Sequence, residues 1–562
     1  MINQEIAEIF YQMADILEIL DVPFKPRAYR RAAMILESLP EDVGNIYRKK
    51  GEKGIDEIPG IGKNLTKKIV EYIETGKISK YDELKREVPG DLIKIMNIKG
   101  IGPKKIKKIY STLHISTVEE FKKACMEHKI SKIKGFGEKT EKEILEGLNN
   151  LNEKRFLLGK TLPIANEIVE KLKPHCKKIE IAGSLRRRKE TNGDIDILAV
   201  AGKGIMDEFE KFGEKTLVKG PKKTSIVTKL GIQVDLRVVK GDEFGSALQY
   251  FTGSRSHNIK LREIAIKKGW KLNEYGLFNG AERIAGIDEK DIYEKLGLQY
   301  IPPELRENNG EIEAAKSNKI PKLVEKIMGD THIHTKWSDG SNTIEEMARE
   351  AMKLGYEYIV ITDHWKLRIA NGLDEKRLRE QMKEIDKLNE KFEKEGVKFK
   401  IFKGVEANID ENGVDVPSSL LKELDFPIAA IHSKFSTNIN ERLKKAIENP
   451  YIMAIAHPTG RIIFKRNPMD FDKEKIFSLA GKNGVLMEIN SSMDRLDLNG
   501  ENVKFAKEFG VKFVIGSDSH NAEMMNNKLG IYMARRGWAT NDDIINSMSL
   551  KEFEKFIRRK RA

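Results

Sequence analysis

The stretch Ile181-Ala-Gly-Ser-Leu-Arg-Arg-Arg188 is followed shortly by Asp194-Ile-Asp196. A turn of small residues that carries a hydroxyl and three arginines has the chemistry to hold a triphosphate. Asp194 and Asp196 are one residue apart, so on a strand both carboxylates point to the same face. Because neighbouring carboxylates repel each other unless cations neutralise them, the pair predicts bound divalent metal. Metal beside phosphate predicts phosphoryl or nucleotidyl transfer.

The residues around this stretch have the pattern of a sheet with intervening helices. Strands are predicted at residues 179–182, 194–200, 224–228 and 232–239. Asp235 lies in one of them, in an apolar context where a lone buried acid is costly. A surface-facing strand position is the alternative interpretation. Because a two-metal transferase commonly uses a third carboxylate, Asp235 is predicted to be a metal ligand.

The composition sets outer limits on the function. The 562 residues are 40% hydrophobic and 33% charged, with a formal net charge of +14, which predicts three or four soluble domains. The positive charge favours a polyanionic partner, although a well-solvated lysine-rich surface is the alternative. Two distant cysteines, an acidic start and the lack of a long apolar run predict a cytoplasmic protein without a membrane segment.

The first 150 residues read as helical and contain an internal repeat. Ile58-Pro-Gly-Ile-Gly62 recurs as Ile98-Lys-Gly-Ile-Gly102 and Ile133-Lys-Gly-Phe-Gly137, each before a lysine-rich helix. Glycines two apart allow a sharp turn and close approach to a ligand, and the amides of the next helix can bind phosphate. A turn packed only for stability is the alternative. The segments resemble helix-hairpin-helix motifs of DNA repair proteins. The predicted DNA contacts are Gly60, Gly62, Gly100, Gly102, Gly135 and Gly137.

The chain after residue 327 alternates short apolar strands with amphipathic helices, and about seven such units predict a parallel barrel. Six of the ten histidines lie after residue 330, in acid-rich or strand-end contexts, and Asp339 and Glu406 add carboxylates. Residues at the carboxyl ends of parallel strands converge on one face. Single histidines are usually structural, but six at strand ends predict a site for Zn²⁺, Mn²⁺ or Fe.

The motif Tyr250-Phe-Thr-Gly-Ser254, followed by Asn258 and Arg262, completes a pattern that resembles the family X DNA polymerases. The resemblance runs from the N-terminus to about residue 315. It implies a palm in which Asp194 and Asp196 hold two Mg²⁺ or Mn²⁺ ions and Asp235 holds the ion at the primer end. It also implies nucleotide contacts from Gly183, Ser184, Arg187, Tyr250, Phe251, Gly253, Asn258 and Arg262. Arg188, where the family often has glycine, and Arg255 depart from the pattern.

The same resemblance implies a 5′-deoxyribose phosphate lyase in the first domain. Lys68 occupies the matching position of the Schiff-base lysine, and Lys25 and Tyr29 match residues that line its pocket. A lysine that binds the DNA backbone or solvent is the alternative. Asn64 replaces a helper lysine of the family. A Schiff-base lysine must be neutral, so nearby positive charge is expected to lower its pKa.

Residues 329–562 resemble the polymerase and histidinol phosphatase (PHP) family. The resemblance implies a distorted seven-stranded barrel that holds two or three Mn²⁺, Zn²⁺ or Fe ions and hydrolyses phosphate esters. Lys434 and Arg461 are candidate phosphate contacts. The nine matching ligand positions are His332, His334, Asp339, His364, Glu406, His432, His457, Asp518 and His520.

The fold class is therefore predicted as multidomain, with all-α helix-hairpin-helix N-terminal domains, an α+β nucleotidyltransferase palm and thumb, and a C-terminal α/β barrel. The predicted divisions are 1–85 (lyase-like), 86–150 (helix-hairpin-helix), 151–241 (palm), 242–315 (thumb), 316–328 (linker) and 329–562 (PHP). A monomeric repair polymerase is expected, acting on gapped or primer-template DNA and deoxynucleoside triphosphates. Its second site is expected to be a 3′→5′ exonuclease, with abasic-site cleavage or 3′-phosphate removal as further activities. Alternatives are a template-independent nucleotidyltransferase fused to a small-molecule phosphatase, and a non-catalytic DNA-binding scaffold.

Overall fold

The computed structural model describes residues 2–20, 22–39, 42–89, 91–92, 95, 102–149, 155–367 and 370–561. The chain forms two compact units, one made of Met1–Arg155 with Asn308–Glu313 and one made of Phe156–Glu307 with Ala314–Ala562. Each unit has a core of its own. Within the described residues, every helix is too short or too polar to cross a bilayer.

The first unit is helical, as its apolar spacing predicts. Its core gathers around Phe10 and Phe121, which are both fully buried. Its described helices are Ile2–Ile19, Lys25–Ser38, Val43–Asp56, Lys63–Thr75, Ser79–Glu87, Pro103–Leu113, Val118–Met126 and Glu138–Asn149. Three of them follow the repeated glycine pairs.

The second unit begins with a five-stranded sheet in the order β2-β4-β7-β6-β5. The strands of this region are β1 (Phe156–Leu157), β2 (Cys176–Ile181), β3 (Thr191–Asn192), β4 (Asp194–Ala201), β5 (Lys215–Lys219), β6 (Lys223–Val227) and β7 (Gln233–Val238). Strands β4 and β7 are parallel, and the other neighbours are antiparallel. The helices Leu158–Leu172, Gly183–Arg186 and Ile205–Glu210 lie between the strands.

The two faces of this sheet differ in what they carry. Ile195 and Ile197 of β4 belong to the core that also contains residues of the helix Leu158–Leu172. Leu198 belongs to a separate apolar cluster with Phe244 on the opposite face. Because side chains alternate along a strand, Asp194 and Asp196 share the face of Leu198.

A helical segment with a small sheet follows. Its helices are Phe244–Thr252, Arg255–Lys267 and Glu289–Leu296, and its strands are β8 (Trp270–Asn273), β9 (Gly276–Asn279) and β10 (Glu282–Ala285). The helix Glu311–Lys316 begins in the first unit and ends in the second. The predicted linker at 316–328 is described in full and has no helix or strand after Lys316. It is nevertheless anchored, because Leu323, Val324 and Ile327 are buried and the Val324 amide donates to the Ala539 carbonyl at 2.9 Å.

The C-terminal part alternates strands and helices. Its strands are β11 (Gly329–Ile333), β12 (Tyr358–Ile361), β13 (Lys400–Lys403), β14 (Glu406–Asp410), β15 (Gly413–Val414), β16 (Ile428–Ala430), β17 (Ala454–Ile455), β18 (Leu486–Asn490) and β19 (Phe513–Gly516). Its helices are Ile344–Lys353, Glu375–Lys394, Ser418–Leu421, Ile439–Ile447, Lys473–Asn483, Gly500–Lys507, Lys528–Arg536 and Leu550–Arg561.

These strands form two sheets whose edges meet. The orders are β11-β12-β13 and β15-β14-β16-β17-β18-β19, and all pairs except β14–β15 are parallel. Parallel bridges join Ile333 to Ser519 and His364 to Glu406, one at each junction. Phe553 of the last helix stacks on Tyr358 of β12 with ring centroids 4.3 Å apart. Because neighbouring strands are parallel, their carboxyl ends lie at the same edge of the sheets. Side chains from distant parts of the sequence therefore lie close together at that edge.

Candidate active sites

Three carboxylates meet on one face of the first sheet. In the parallel pair of β4 and β7, Asp196 lies directly across from Asp235, and Asp194 lies across from Gln233. Asp194 is exposed, Asp196 is half-buried and Asp235 is buried. The register therefore brings together the three aspartates that the sequence singles out.

The electrostatics of this group call for a cation. Burial, followed by the charges of Asp194 and Asp235, raises the pKa of Asp196 to about 7. The Asp235 carboxylate is 2.5 Å from the Lys223 ammonium and accepts a hydrogen bond from the Gln233 amide at 2.9 Å. Burial opposes ionisation of Asp235, but these two contacts lower its pKa overall. A lysine cation thus already occupies one side of the site, and an all-oxygen donor set suits Mg²⁺ or Mn²⁺.

The predicted triphosphate-binding turn lies against these carboxylates. Gly183 has a φ of +62°, and a Cβ there would come within 2.3 Å of the Asp196 carboxylate. Ser184 donates to the Asn192 side chain at 2.9 Å. The Arg187 Nε donates to Glu307 at 3.1 Å, and its Nη1 donates to the Thr252 carbonyl. Only glycine fits at position 183, which explains its place in the motif.

The other predicted nucleotide contacts surround the same face. Tyr250 and Phe251 meet edge to face at 5.2 Å, and the Arg237 guanidinium lies 4.6 Å above the Phe251 ring. Asn258 is buried and donates to the Tyr250 carbonyl at 2.8 Å. Arg262 is half-buried, and a Cβ at Gly253 would be 3.2 Å from the Arg187 guanidinium.

A buried ion cluster beside this region has no counterpart in the sequence predictions. Glu289 is bonded by Arg186 at 2.8 and 2.9 Å, by Arg306 at 2.5 Å and by the Tyr300 hydroxyl at 2.9 Å. Burial works against ionisation, but Arg306 and Arg186 hold the pKa of Glu289 below its usual range. The only sequence signal was the unassigned Arg186 inside the arginine run.

The glycine hairpins of the first unit keep open space above their second glycines. Among the described residues, no atom would lie within 4 Å of a Cβ at Gly62, Gly102 or Gly137, so the packing of that part of the chain does not demand glycine there. Gly60 and Gly135, by contrast, have a φ of +93°, which favours glycine. Gly62 and Gly102 directly precede the helices Lys63–Thr75 and Pro103–Leu113. Gly100 lies outside the described residues.

Lys68 lies in a partly enclosed position in the same unit. Burial lowers its pKa, and the charges of Lys25 and Lys80 lower it further against an opposing effect of Glu71. Its ammonium donates to the Asn64 carbonyl at 3.1 Å. Lys25 is exposed, whereas Tyr29 is buried and packs edge to face on Phe10 at 5.3 Å. The structure therefore places Tyr29 mainly in the core.

All nine predicted histidine and carboxylate ligands converge at the carboxyl ends of the parallel strands. His332 lies in β11 and His334 directly follows it, His364 follows β12 and Glu406 begins β14. The remaining members follow β16, β17 and β19, or lie in the loop after β11. These members are Asp339, His432, His457, Asp518 and His520.

Glu406 is at the centre of this cluster. Its Oε1 is 3.0 Å from His432 Nε2 and 2.9 Å from His457 Nε2, and its Oε2 is 2.9 Å from His364 Nδ1. Burial disfavours its charge, but the imidazoles of His432 and His364 keep its pKa well below the usual range. The carboxylate is therefore ionised, and imidazole nitrogens lie close to both of its oxygens.

Three ligand groups could each hold a cation. They are His334, Asp339, His364 and His520; His332, His334 and Glu406; and His364, Glu406 and His432. His334 Nδ1 and Glu406 Oε2 are buried without a hydrogen-bond partner among the described residues. Orphaned buried donors and acceptors are costly, and a coordinated cation would satisfy both. Mixed imidazole and carboxylate donors fit Mn²⁺, Zn²⁺ or Fe.

Three residues that support the ligands were missed by the sequence predictions. Glu488 of β18 is 2.7 Å from His332 Nδ1 and accepts from the His457 amide at 2.6 Å. Asn408 is 2.8 Å from His432 Nδ1. Arg495 Nε lies 3.4 Å from Asp518. Glu488 could have been found, because it is the acid inside β18, a strand for which no ligand was assigned.

The two candidate phosphate contacts are held by other groups. Lys434 is exposed and pairs with Glu411 at 2.7 Å. The Arg461 guanidinium donates to Glu190 at 2.7 Å and to the carbonyls of Arg495 and Leu496. Arg461, in the loop after β17, therefore connects this part of the chain to Glu190, which directly precedes β3 in the same unit.

The fold and the two sites define a class of protein, and comparisons with known families agree with it. A helix-hairpin-helix domain model matches residues 1–78, and a SAM-like helix-hairpin-helix tandem matches residues 90–150. The DNA polymerase beta thumb matches residues 247–307, and the PHP domain matches residues 330–492. The protein is thus a multidomain enzyme of the DNA polymerase beta type that carries a PHP domain.

Similarity to individual proteins identifies the family within this class. The chain is 38% identical over 581 residues to the DNA polymerase/3′-5′ exonuclease PolX of Bacillus subtilis (strain 168), with all of both chains covered. It is 36% identical over 254 residues to a probable phosphatase of Thermoanaerobacter sp. (strain X514), which covers 42% of this chain and 97% of that protein. DNA polymerase lambda of Arabidopsis thaliana is 25% identical over 54% of this chain and 62% of that protein. The chain belongs to the PolX family of DNA polymerases.

Replacing Glu406 with glutamine tests the centre of the histidine cluster. Glu406→Gln keeps the shape of the side chain but removes the charge that two of the three ligand groups share. We expect affinity for Mn²⁺ to fall by at least about tenfold. Metal content after gel filtration and titration with Mn²⁺ measure the change. Glu411→Gln, an exposed acid of the same region, is the matched control, and equal metal binding by both variants would contradict the assignment.

Proposed function

We propose that this protein is a DNA-directed DNA polymerase that fills short gaps during base excision repair and trims 3′ ends at a second site. The observation that carries the proposal is the alignment of Asp196 with Asp235 across β4 and β7, with the Gly183 turn against Asp196. A carboxylate group beside a phosphate-binding turn suits in-line nucleotidyl transfer.

In the palm, Asp194 and Asp196 would hold two Mg²⁺ or Mn²⁺ ions, and Asp235 would hold one of them. When bound, these ions neutralise the triphosphate and favour ionisation of the primer 3′-hydroxyl. The chain itself supplies orientation. Ser184 and Arg187 face the phosphates, Tyr250 and Phe251 border the sugar, and Asn258 and Arg262 face the minor-groove side of the new base pair. The Gly253 backbone completes the phosphate contacts.

We propose that the glycine hairpins bind the backbone of duplex DNA without preference for its sequence. The open space above Gly62, Gly102 and Gly137 supports it, because no contact with a described residue explains the absence of a side chain. Backbone amides at the starts of the following helices can bind DNA phosphates. A templating duplex in turn favours a polymerase over a template-independent transferase.

The PHP part is proposed to be a distorted seven-stranded barrel with two or three metal ions and 3′→5′ exonuclease activity. Strands β13 and β14 are almost continuous, and counting them as one strand leaves seven parallel strands closed by the bridges at Ser519 and Glu406. Metals bound there would activate water and neutralise a phosphate ester. We propose the domain limits 1–85, 86–150, 151–241, 242–315 and 329–562, with 316–328 as an anchored connection.

A second candidate applies to the PHP part alone. Its similarity to a probable phosphatase over 97% of that protein favours cleavage of phosphomonoesters. Removal of a 3′-phosphate from DNA would agree with both candidates, because it acts on a DNA 3′ end and cleaves a phosphomonoester. Assays on a 3′-phosphate primer, an abasic site and a free sugar phosphate separate these substrates.

Two double variants separate the sites. We expect Asp194→Ala/Asp196→Ala to reduce primer extension on a one-nucleotide gap by at least about 100-fold, because it removes the ligands that neutralise transferred phosphate. It should leave 3′ degradation intact. His332→Ala/His334→Ala should do the reverse. Each variant is the folding control for the other, with Mn²⁺ or Mg²⁺ in the assay.

Extension that survives the loss of both aspartates would refute the palm assignment. Degradation that survives the loss of both histidines would place the nuclease elsewhere.

We also propose a 5′-deoxyribose phosphate lyase that uses Lys68 as its Schiff-base nucleophile. The lowered pKa of Lys68 supports the proposal, because a larger neutral fraction attacks the sugar aldehyde. The nearby charge of Lys25 contributes to that lowering and gives a partner for the 5′-phosphate.

Borohydride trapping tests this nucleophile. Wild type incubated with 5′-deoxyribose phosphate DNA and borohydride should form a covalent adduct, and Lys68→Ala should reduce its yield by more than about tenfold. Lys67→Ala, which removes an adjacent exposed lysine, should trap as well as wild type. An adduct of normal yield in Lys68→Ala would rule out this lysine.

A further inference from the structure

The turn that precedes the palm aspartates is fastened to the barrel at three points. The Arg187 carbonyl accepts from Arg536 Nη1 at 2.7 Å. The Arg188 guanidinium lies 4.5 Å above the Tyr532 ring. Arg461 reaches Glu190 at 2.7 Å. Two of these three partners, Tyr532 and Arg536, belong to the helix Lys528–Arg536.

The contact between Arg188 and Tyr532 explains why this chain has arginine where the family often has glycine. Its φ is +57°, a conformation that favours glycine and costs free energy in any residue with a Cβ. A glycine would remove that cost but would give Tyr532 nothing to contact. The cation–π contact with the barrel therefore offsets the backbone strain at Arg188.

Glu307 connects the same helix to the predicted triphosphate ligand. Its Oε1 accepts from Arg187 Nε at 3.1 Å and from Arg536 Nη1 at 3.1 Å, and its Oε2 is 3.7 Å from the Lys189 ammonium. The side chains of Arg187, Glu307 and Arg536 are 12%, 20% and 9% exposed, so solvent screens these charges little. Arg187 and Arg536 thus share one carboxylate oxygen.

We propose that the helix Lys528–Arg536 of the barrel positions the triphosphate-binding turn of the palm, with Arg536 as the positioning residue. This inference rests on the proposed polymerase function. Arg536 fixes the backbone of Arg187 through its carbonyl. It also weakens the hold of Glu307 on the Arg187 side chain, because it competes for the same oxygen. Both effects keep Arg187 available for a nucleotide.

The sign of the effect follows from this sharing. Without Arg536, Glu307 has one buried cation fewer and binds Arg187 more tightly, while the turn loses a backbone anchor. Nucleotide affinity then falls. The chemical step uses the aspartates, which Arg536 does not contact in any described interaction, so kcat should change little.

The test measures KM for the incoming deoxynucleoside triphosphate and kcat on a one-nucleotide gap, together with equilibrium binding of a non-incorporable triphosphate analogue. We expect Arg536→Ala to raise KM and the dissociation constant by about five- to tenfold, within the usual range of coupling between sites, while kcat changes less than about twofold. Arg536→Lys should recover part of the loss. Arg188→Gly should raise KM in the same direction without adding backbone strain.

Arg535→Ala is the matched control. Arg535 lies on the same helix and pairs with Glu304 at 2.7 Å, so the variant loses a contact within the same unit without touching the turn. Its KM should remain that of wild type. An equal rise in Arg535→Ala, or unchanged KM and analogue binding in Arg536→Ala and Arg188→Gly, would overturn the inference. A wild type that binds the analogue but extends no primer would instead refute the proposed function.

Discussion

Crowded negative charge is the constraint on which both sites depend. Aligning β4 with β7 places Asp196 against Asp235, and burial with neighbouring charge raises the pKa of Asp196 to about 7. Glu406 meets the same problem at the carboxyl ends of the parallel strands, where imidazoles lie close to it. A folded chain tolerates such groups only when opposite charge balances them. Lys223 supplies part of that balance beside Asp235, and divalent cations are the natural remainder.

Elsewhere in the second unit, arginines meet the same constraint without metal. Glu289 is neutralised by Arg186 and Arg306 inside the fold. Glu307 is neutralised by Arg187, which follows the helix Gly183–Arg186, and by Arg536 of the helix Lys528–Arg536. Arginine suits these positions because its planar donors satisfy several acceptors at once. Carboxylates paired with arginine, such as Glu289 and Glu307, therefore stabilise the fold, whereas the carboxylates of the two candidate sites are suited to bind a cation.

Much of each site could be predicted because its residues are local in sequence or follow strand ends. Asp194 and Asp196 share a strand face by simple alternation, and the C-terminal histidines occur where apolar strands stop. Most predicted strands, including 194–200 and 232–239, match β4 and β7 within about two residues. The resemblance to known families then supplied the roles.

The parts that escaped prediction depend on long-range packing. Glu488 supports His332 from 156 residues away, and Arg536 reaches the Arg187 carbonyl across 349. No periodicity encodes such pairings. The segment 316–328 was predicted to be a linker, but its anchoring was not predicted. Leu323, Val324 and Ile327, which anchor it, are isolated apolar residues in a mainly polar segment. The short edge strand β5 was missed because all its side chains are exposed.

The two candidate metal sites have different donor sets, carboxylates in one and imidazoles with carboxylates in the other. Anomalous diffraction from crystals grown with Mn²⁺ locates each ion independently of activity. We expect anomalous peaks beside Asp194, Asp196 and Asp235 and further peaks among the histidines around Glu406. Peaks at only one of these places, with the other set of side chains ordered and empty, would contradict this expectation.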